Sequence, residues 1–402
     1  MDRRGRLETL AGAVASGDPY RVARALEISP IALSRQGAEP QPVQNAGTLE
    51  DRYGGNWTNV ASAWLGACQA AEAGYAVKCY ESQSALHTAF HQVFGSSTGN
   101  WLVPALHTVC RSTHRIAVRA DKEAANGNDQ AKLQNAVQLL QESFSRTFND
   151  RKELRPGAPY DAEEGSKKAG VLFIVNELFA IYFRLNTLRL CKNLQKPVET
   201  RKLHTQGVMG QMVTYNYYVG RLSLFEDQYA EAESKLEFAL SNCHKNAFQN
   251  KQRILRYLVP VKLFRGRMPS GQLLTKYKLD EFLPLVDGIR KGDLRTFNDA
   301  LIQFQDRFIR QGTYLLLEKC KVVCYRNLFR RVHLLLEKHQ ISLVDVASAL
   351  KYLGMPADLD EVECILANLI YRGYIRGYLS HAKRVLVLSK RDPFPISAVV
   401  KQ

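Results

Sequence analysis

The sequence predicts a mostly α protein: a right-handed helical-repeat array of tetratricopeptide-like hairpins, capped at its C-terminal end by a winged helix. Three observations carry this prediction. Apolar residues recur at helical spacing from Trp57 onward, with strand signals nearly absent before residue 374. One helical pair, Tyr218-Val-Gly220 followed by Tyr229, Ala232, Leu236 and Ala239, has the small and aromatic spacing of a repeat hairpin. The C-terminal stretch then reads helix, helix, helix, strand, strand.

Taken in order, residues 1–55 carry one short helical pattern (Leu7, Leu10, Val14) and then the connection GAEPQPVQNAGT, and read as a loosely ordered segment and linker. Residues 56–312 form the array. Trp64, Leu65, Cys68 and Ala71 share one helix face, and Leu133, Val137, Leu140 and Phe144 share another. Breaks fall at Gly95–Gly99, at Asn126-Gly127-Asn128 and over the polar stretch Asn149–Gly170. In the repeat hairpin, Gly220 and Ala232 allow close helix approach while Tyr229 and Leu236 fill the groove. The winged helix spans 313–395. A long helix from Thr313 to His339 presents Leu328, Val332, Leu335 and Leu336 on one side. Ser342 with Asp345 starts a second helix that stops at Gly354, and Asp358 with Glu361 starts a third that stops at Gly373. Two strands follow, Tyr374–Leu379 and Val385–Leu388, and residues 396–402 are a tail.

Composition limits the possibilities. Of 402 residues, 46% are hydrophobic and 23% charged, which fits a folded globular chain and excludes collagen-like, mucin-like and disulfide-scaffold proteins. The eight cysteines include no CxxC pair and read as reduced thiols of a cytosolic or nuclear protein. The N-terminus lacks the apolar core of a signal peptide. The longest apolar run, Val171–Phe183, is 13 residues with Asn176 and Glu177 inside it. A membrane span needs about 20. A soluble intracellular protein is expected.

The formal net charge is +16, from 55 Lys and Arg against 39 Asp and Glu. Two acid-free blocks concentrate it: nine cations between Lys245 and Leu279, and six between Arg372 and Arg391. Such blocks attract phosphate or acidic protein segments, although a solvated face looks the same in sequence. Lys251, Arg253, Arg256, Lys262, Arg265 and Arg267 are candidates for an acidic partner or nucleic acid. Arg372, Arg376, Lys383, Arg384, Lys390 and Arg391 are candidates for nucleic-acid backbone. A helix-turn-helix reader inserts the N-terminal end of its third helix into the major groove. Here that end reads Asp358-Leu-Asp360-Glu361-Val-Glu363, whose carboxylates oppose entry between phosphates. A sequence-reading transcription regulator is therefore the weaker reading.

Nucleotide-loop and zinc-hydrolase signatures are missing from the sequence: no GxxxxGK[ST], no GxGxxG after a strand and no HExxH, and the GxSxG match at Gly95–Gly99 falls in a break between helices with no strand before it. His87 and His91 share a helix face without a third ligand, and read as a polar pair rather than zinc ligands. Cys320 and Cys324 read as small core residues, and Tyr215, Tyr217 and Tyr218 as packing residues. No enzyme, no cofactor, no metal and no small-molecule substrate are expected.

A helical array ending in a winged helix is the layout of PCI domains, found in scaffold subunits of the proteasome lid, the signalosome and an initiation factor. The segments VLFIVNELFAIYFRLNTLRLCKNL (171–194), VTYNYYVGRLSLFEDQYAEAE (213–233), YLVPVKLFRGRMP (257–269), YRNLFRRVHLLLEKHQISL (325–343), DEVECILANLIYRGYIRGYLSH (360–381) and LVLSKRDPFP (386–395) resemble the PCI-domain subunit of the TREX-2 mRNA-export complex. A signalosome-associated PCI protein of fungi is similar and is the alternative; the short link Lys338–Ile341 favours the export subunit. The resemblance implies a non-enzymatic scaffold at the nuclear pore, with cytoplasm as a second location. It implies a large scaffold protein and a small acidic disordered protein as partners, and joint binding of RNA and DNA without strong sequence preference. Tyr374, Tyr378, Val385 and Val387 are then candidates for a protein-docking face of the hairpin, or for packing on its own helices.

Overall fold

A computed structural model describes residues 3–29, 31, 55–124, 130–155, 157, 160 and 164–395. The connection at 37–48, the break at 126–128 and the tail 396–402 lie outside the described residues. The chain divides into two compact units, Met1–Tyr218 and Val219–Gln402. The division falls inside the expected array 56–312, and the part of that array from Val219 shares the second unit with the winged helix.

The first unit is a series of packed helices. α1 (Arg3–Ser16) and α2 (Pro19–Ala25) open it. Asp18 caps α2 by accepting from the backbone N–H groups of Tyr20 and Arg21 at 2.9 and 3.1 Å, with Pro19 at the first helical position. Leu10, Val22 and Leu26 are fully buried, so this part of the expected loose segment is packed instead. α3 (Gly55–Glu72), α4 (Ala76–Ser96), α5 (Val103–Ala124) and α6 (Ala131–Phe148) follow as successive partners. α7 (Val171–Leu185) is the long apolar run. It is a buried helix of ordinary length, and no described helix is long and apolar enough to cross a membrane. α8 (Arg189–Thr200) and the start of α9 (Met209–Phe225) complete the unit. Tyr215 stacks on Phe179 at 5.8 Å and Tyr218 meets the same ring edge-on at 6.1 Å, so both are packing residues.

In the second unit, a Cβ on Gly220 would lie 2.7 Å from Leu236 Cγ, which explains why glycine is needed where α9 meets α10 (Tyr229–Asn242). α11 (Phe248–Phe264) packs on α10, and α12 (Gly271–Lys276), α13 (Leu283–Lys291), α14 (Leu294–Gln303) and α15 (Gln305–Gln311) continue the array. Gly292 ends α13 at φ +64°, and a Cβ there would sit 2.4 Å from the backbone nitrogen of Leu328. The expected long helix is broken at Cys320 into α16 (Tyr314–Lys319) and α17 (Lys321–Leu336). Leu328 and Val332 are buried, but Leu335 is 83% exposed.

α18 (Leu343–Tyr352) and α19 (Leu359–Tyr371) begin at Ser342 and Asp358, whose side chains accept from Val344 N and Glu361 N at 3.2 and 2.7 Å. Three strands, β1 (Gln340–Ser342), β2 (Gly377–Ser380) and β3 (Val385–Leu388), form an antiparallel sheet in the order β1-β3-β2. The register pairs Tyr378 with Val387 and Leu379 with Leu386, and Ile341 also faces Leu386. Ile341, Leu386 and Leu388 are buried against the helices, which leaves the alternate residues on the outer face.

Candidate docking surfaces

The α11 block is not a free basic surface. Glu233, on α10, is buried, with its side chain 3% exposed, and accepts from Arg265 at 2.5 Å and from Arg267 at 3.0 Å. Lys262 pairs with Glu237, one turn further along α10, at 2.7 Å. Glu233, Glu237, Arg265 and Arg267 line one shallow cavity of about 480 Å³. Three of the six candidates in this block therefore hold the α10–α11 pair together. Arg253 is exposed, and Lys251 and Arg256 are half-buried.

The wing divides in the same way. Arg384, at the tip with φ +52°, donates to Asp360 at 2.5 Å and to Glu363 at 3.2 Å, both in the first turns of α19. The Arg384 hydrogen bond holds the Asp360 carboxyl below the usual aspartate range, and Asp360 in turn raises Arg384. His381 lies 3.0 Å from Glu363, and Arg376 lies 3.5 Å from Asp392. Arg372, Lys383, Lys390 and Arg391 are exposed, and among the described residues no carboxylate pairs with them.

The apolar candidates part company too. Tyr378 is 62% exposed, and Val385 and Val387 beside it on the outer face are half-buried. Tyr374 is fully buried, so it packs inside the module and offers nothing to a docking face. It precedes β2, and its N–H donates to the carbonyl of Leu369 at 2.8 Å as part of the α19 C-cap, so strand alternation does not apply to it. Tyr371 is 91% exposed at the end of the same helix.

The tail of the winged helix is fastened by a residue the sequence reading overlooked. Arg326 of α17 is buried, donates to Asn327 Oδ1 at 2.7 Å and also donates to the carbonyl of Phe394. Burial lowers its affinity for its proton. His87 and His91 are a buried polar pair: His87 lies 2.9 Å from Thr113 Oγ1 and 2.8 Å from Ser143 Oγ, and His91 Nε2 lies 2.7 Å from the same serine. No group of three metal-binding side chains occurs among the described residues. Cys320 and Cys324 are buried, and burial pushes Cys324 up to about 12.

Comparison with known proteins gives this architecture its family. Residues 301–390 match the PCI domain. PCI domain-containing protein 2 of Xenopus laevis is 39% identical over 324 residues, covering 79% of each chain. This chain belongs to the PCI-domain family. Among other relatives, the PCI domain-containing protein 2 homolog of Dictyostelium discoideum is 45% identical over 64% of this chain and 58% of its own. Protein CSN12 homolog of Neurospora crassa is 31% identical over 92% of this chain and 88% of its own. The chain is accordingly a non-enzymatic PCI scaffold subunit of a multiprotein complex. The PCI match takes in α17–α19 and the sheet, with Arg372, Lys383 and Lys390; Arg391 and the α11 block fall outside it.

Proposed function

We propose that this PCI scaffold docks a partner chain on the outer face of its three-stranded sheet and meets RNA or DNA, as a polyanion, through the cations beside that face. The observation that carries the reading is the sorting of the wing's side chains. Tyr378, Val385 and Val387 offer an apolar outer face, while Arg372, Lys383, Lys390 and Arg391 have no carboxylate partner among the described residues. An apolar centre with a cationic rim suits protein docking beside a phosphate backbone. Base reading is disfavoured, because Asp360 and Glu363 of the would-be recognition helix are tied to the wing. Lys251, Arg253 and Arg256 remain to take a small acidic chain along α11.

A signalosome-associated complex is supported as the setting by the likeness to Protein CSN12 homolog, which runs over 92% of this chain. The second reading is the TREX-2 mRNA-export complex in the nucleus, at the pore, with a large scaffold protein as the principal partner. It is favoured by the short connection Glu337–His339 between α17 and β1, which carries no insertion. Native affinity purification of the tagged chain with mass spectrometry tests both. Stoichiometric signalosome subunits support the first reading and export-complex subunits the second. A chain that purifies alone would overturn the scaffold assignment.

A further inference from the structure

A cavity lies in the first unit, far in sequence from the PCI domain. α5 carries Arg111, Arg115 and Arg119 four residues apart, within a stretch free of acidic residues from Trp101 to Ala120. At 1.5 Å per residue this spacing forms a ladder of guanidinium groups about 6 Å apart on one helix face. The ladder faces α2, whose Arg24 completes a groove of about 590 Å³. Ile116, Ala23 and Ile28 supply its apolar wall, and Glu27 is the one carboxylate among its described lining residues. Tyr20 stands at the groove, 62% exposed, with Tyr160 edge-on to its ring at 6.0 Å.

Arg111 is already engaged, 3.8 Å from Glu177 and 4.8 Å above the Phe173 ring. Arg24, Arg115 and Arg119 have no ion-pair partner among the described residues, and Arg115 and Arg119 are exposed. Two acids that follow on α5 are occupied: Asp121 caps α6 through Lys132 N and Leu133 N, and Glu123 accepts from Ala76 N and Val77 N. Among the described residues the groove therefore keeps a net positive field.

The cations among its described lining residues are all arginine. Guanidinium is planar, weakly hydrated and able to bond a phosphate bidentately while stacking on a ring. A groove of this volume holds a ligand the size of one or two nucleotides. An exposed aromatic beside a cationic groove is the arrangement that takes an unstacked base together with its backbone. A carboxylate-bearing peptide would use the arginines but has no need of Tyr20. We infer that the α2–α5 groove binds single-stranded nucleic acid, with phosphates on Arg24, Arg115 and Arg119 and a base stacked on Tyr20. This goes beyond the wing reading and does not depend on it.

The test uses the full chain and fluorescence anisotropy with a labelled oligouridine of about 12 nucleotides. Arg115→Gln/Arg119→Gln is expected to weaken binding about tenfold or more and to reduce the slope of log K against log salt by about 1.4. Arg115→Glu/Arg119→Glu should weaken it further. Tyr20→Ala should weaken binding about fivefold or more while leaving the salt slope unchanged, as loss of stacking requires. Lys383→Gln, in the wing, serves as the comparison, and thermal melts verify that each variant folds. The inference is overturned if wild type does not bind the oligonucleotide, or if the Arg115/Arg119 variants bind it as wild type does. It is equally overturned if those variants lose only the binding of labelled polyglutamate, which would assign the groove to an acidic protein segment.

Discussion

The two basic blocks, alike in sequence, differ in where their carboxylates come from and how deep these lie. On α11, Arg265 and Arg267 converge on Glu233 of α10, whose side chain is 3% exposed, so the charges are part of the packing between two helices. On the wing, Arg384 reaches Asp360, which is 78% exposed, and Arg376 reaches Asp392, which is 59% exposed. Desolvated charges must be paired, and a buried pair that loses one member is costly, whereas an exposed pair contributes little. A run without acids in sequence is thus not a run without acids in space. The α11 cations mainly hold the fold, and the wing leaves four of its six available.

The sharpest way to break this comparison is to remove the buried carboxylate. Glu233→Gln leaves the largely buried Arg265, and the half-exposed Arg267 beside it, without their counter-charge, and is expected to cost about 3 kcal/mol. That corresponds to roughly 6–12 °C in the unfolding midpoint of a unit of this size. Asp360→Asn should leave the midpoint within experimental scatter. The double variant Glu233→Met/Arg265→Met should recover much of the loss, because a well-packed apolar pair removes both desolvated charges. Equal midpoints for Glu233→Gln and Asp360→Asn would erase the distinction between the blocks.

Burial can also be tolerated by giving up charge, and His87 in the first unit provides the contrast with Glu233. Burial, followed by the neighbouring His91, drives the His87 imidazole well below its ordinary range. The unfolded chain takes up its proton near pH 6.5 while the folded chain refuses it, so this contribution is complete above that pH and is lost as pH falls. Between pH 7 and pH 5 the loss attributable to His87 is about 2 kcal/mol. Urea denaturation at both pH values should show wild type losing that much more than His87→Gln. An identical pH dependence in the two chains would mean that His87 is protonated in the fold.

The winged helix was legible because its elements carry their own punctuation: Ser342 and Asp358 cap α18 and α19, and Gly354 and Gly373 stop them at φ +76° and +75°. β1 was not legible, since three residues in a polar link acquire strand geometry only by pairing with β3. The break at Cys320 has no Gly or Pro to announce it. At the docking surfaces the residue types were readable but their partners were not. Lys262, Arg265 and Arg267 meet carboxylates some thirty residues earlier, brought close by the turn between α10 and α11. The Arg111–Arg119 ladder could have been read from its four-residue spacing, but only α2 packed opposite turns a charged helix face into a groove.

The finest test lies within the wing, between adjacent cations of different standing. Lys383 is exposed without a carboxylate partner among the described residues, while Arg384 spends its charge on Asp360 and Glu363. If the wing contacts phosphates, Lys383→Gln should reduce the slope of log K against log salt by about 0.7, the share of one released counterion on a single strand. Removing the neutral pair, Arg384→Gln/Asp360→Asn, should leave that slope alone, because an internally paired guanidinium has no charge to exchange for counterions. Equal slope changes would mean that Arg384 abandons its carboxylates on binding. The first turns of α19 would then be released from the wing, and the acidic end of that helix would stand clear of the phosphates it repels.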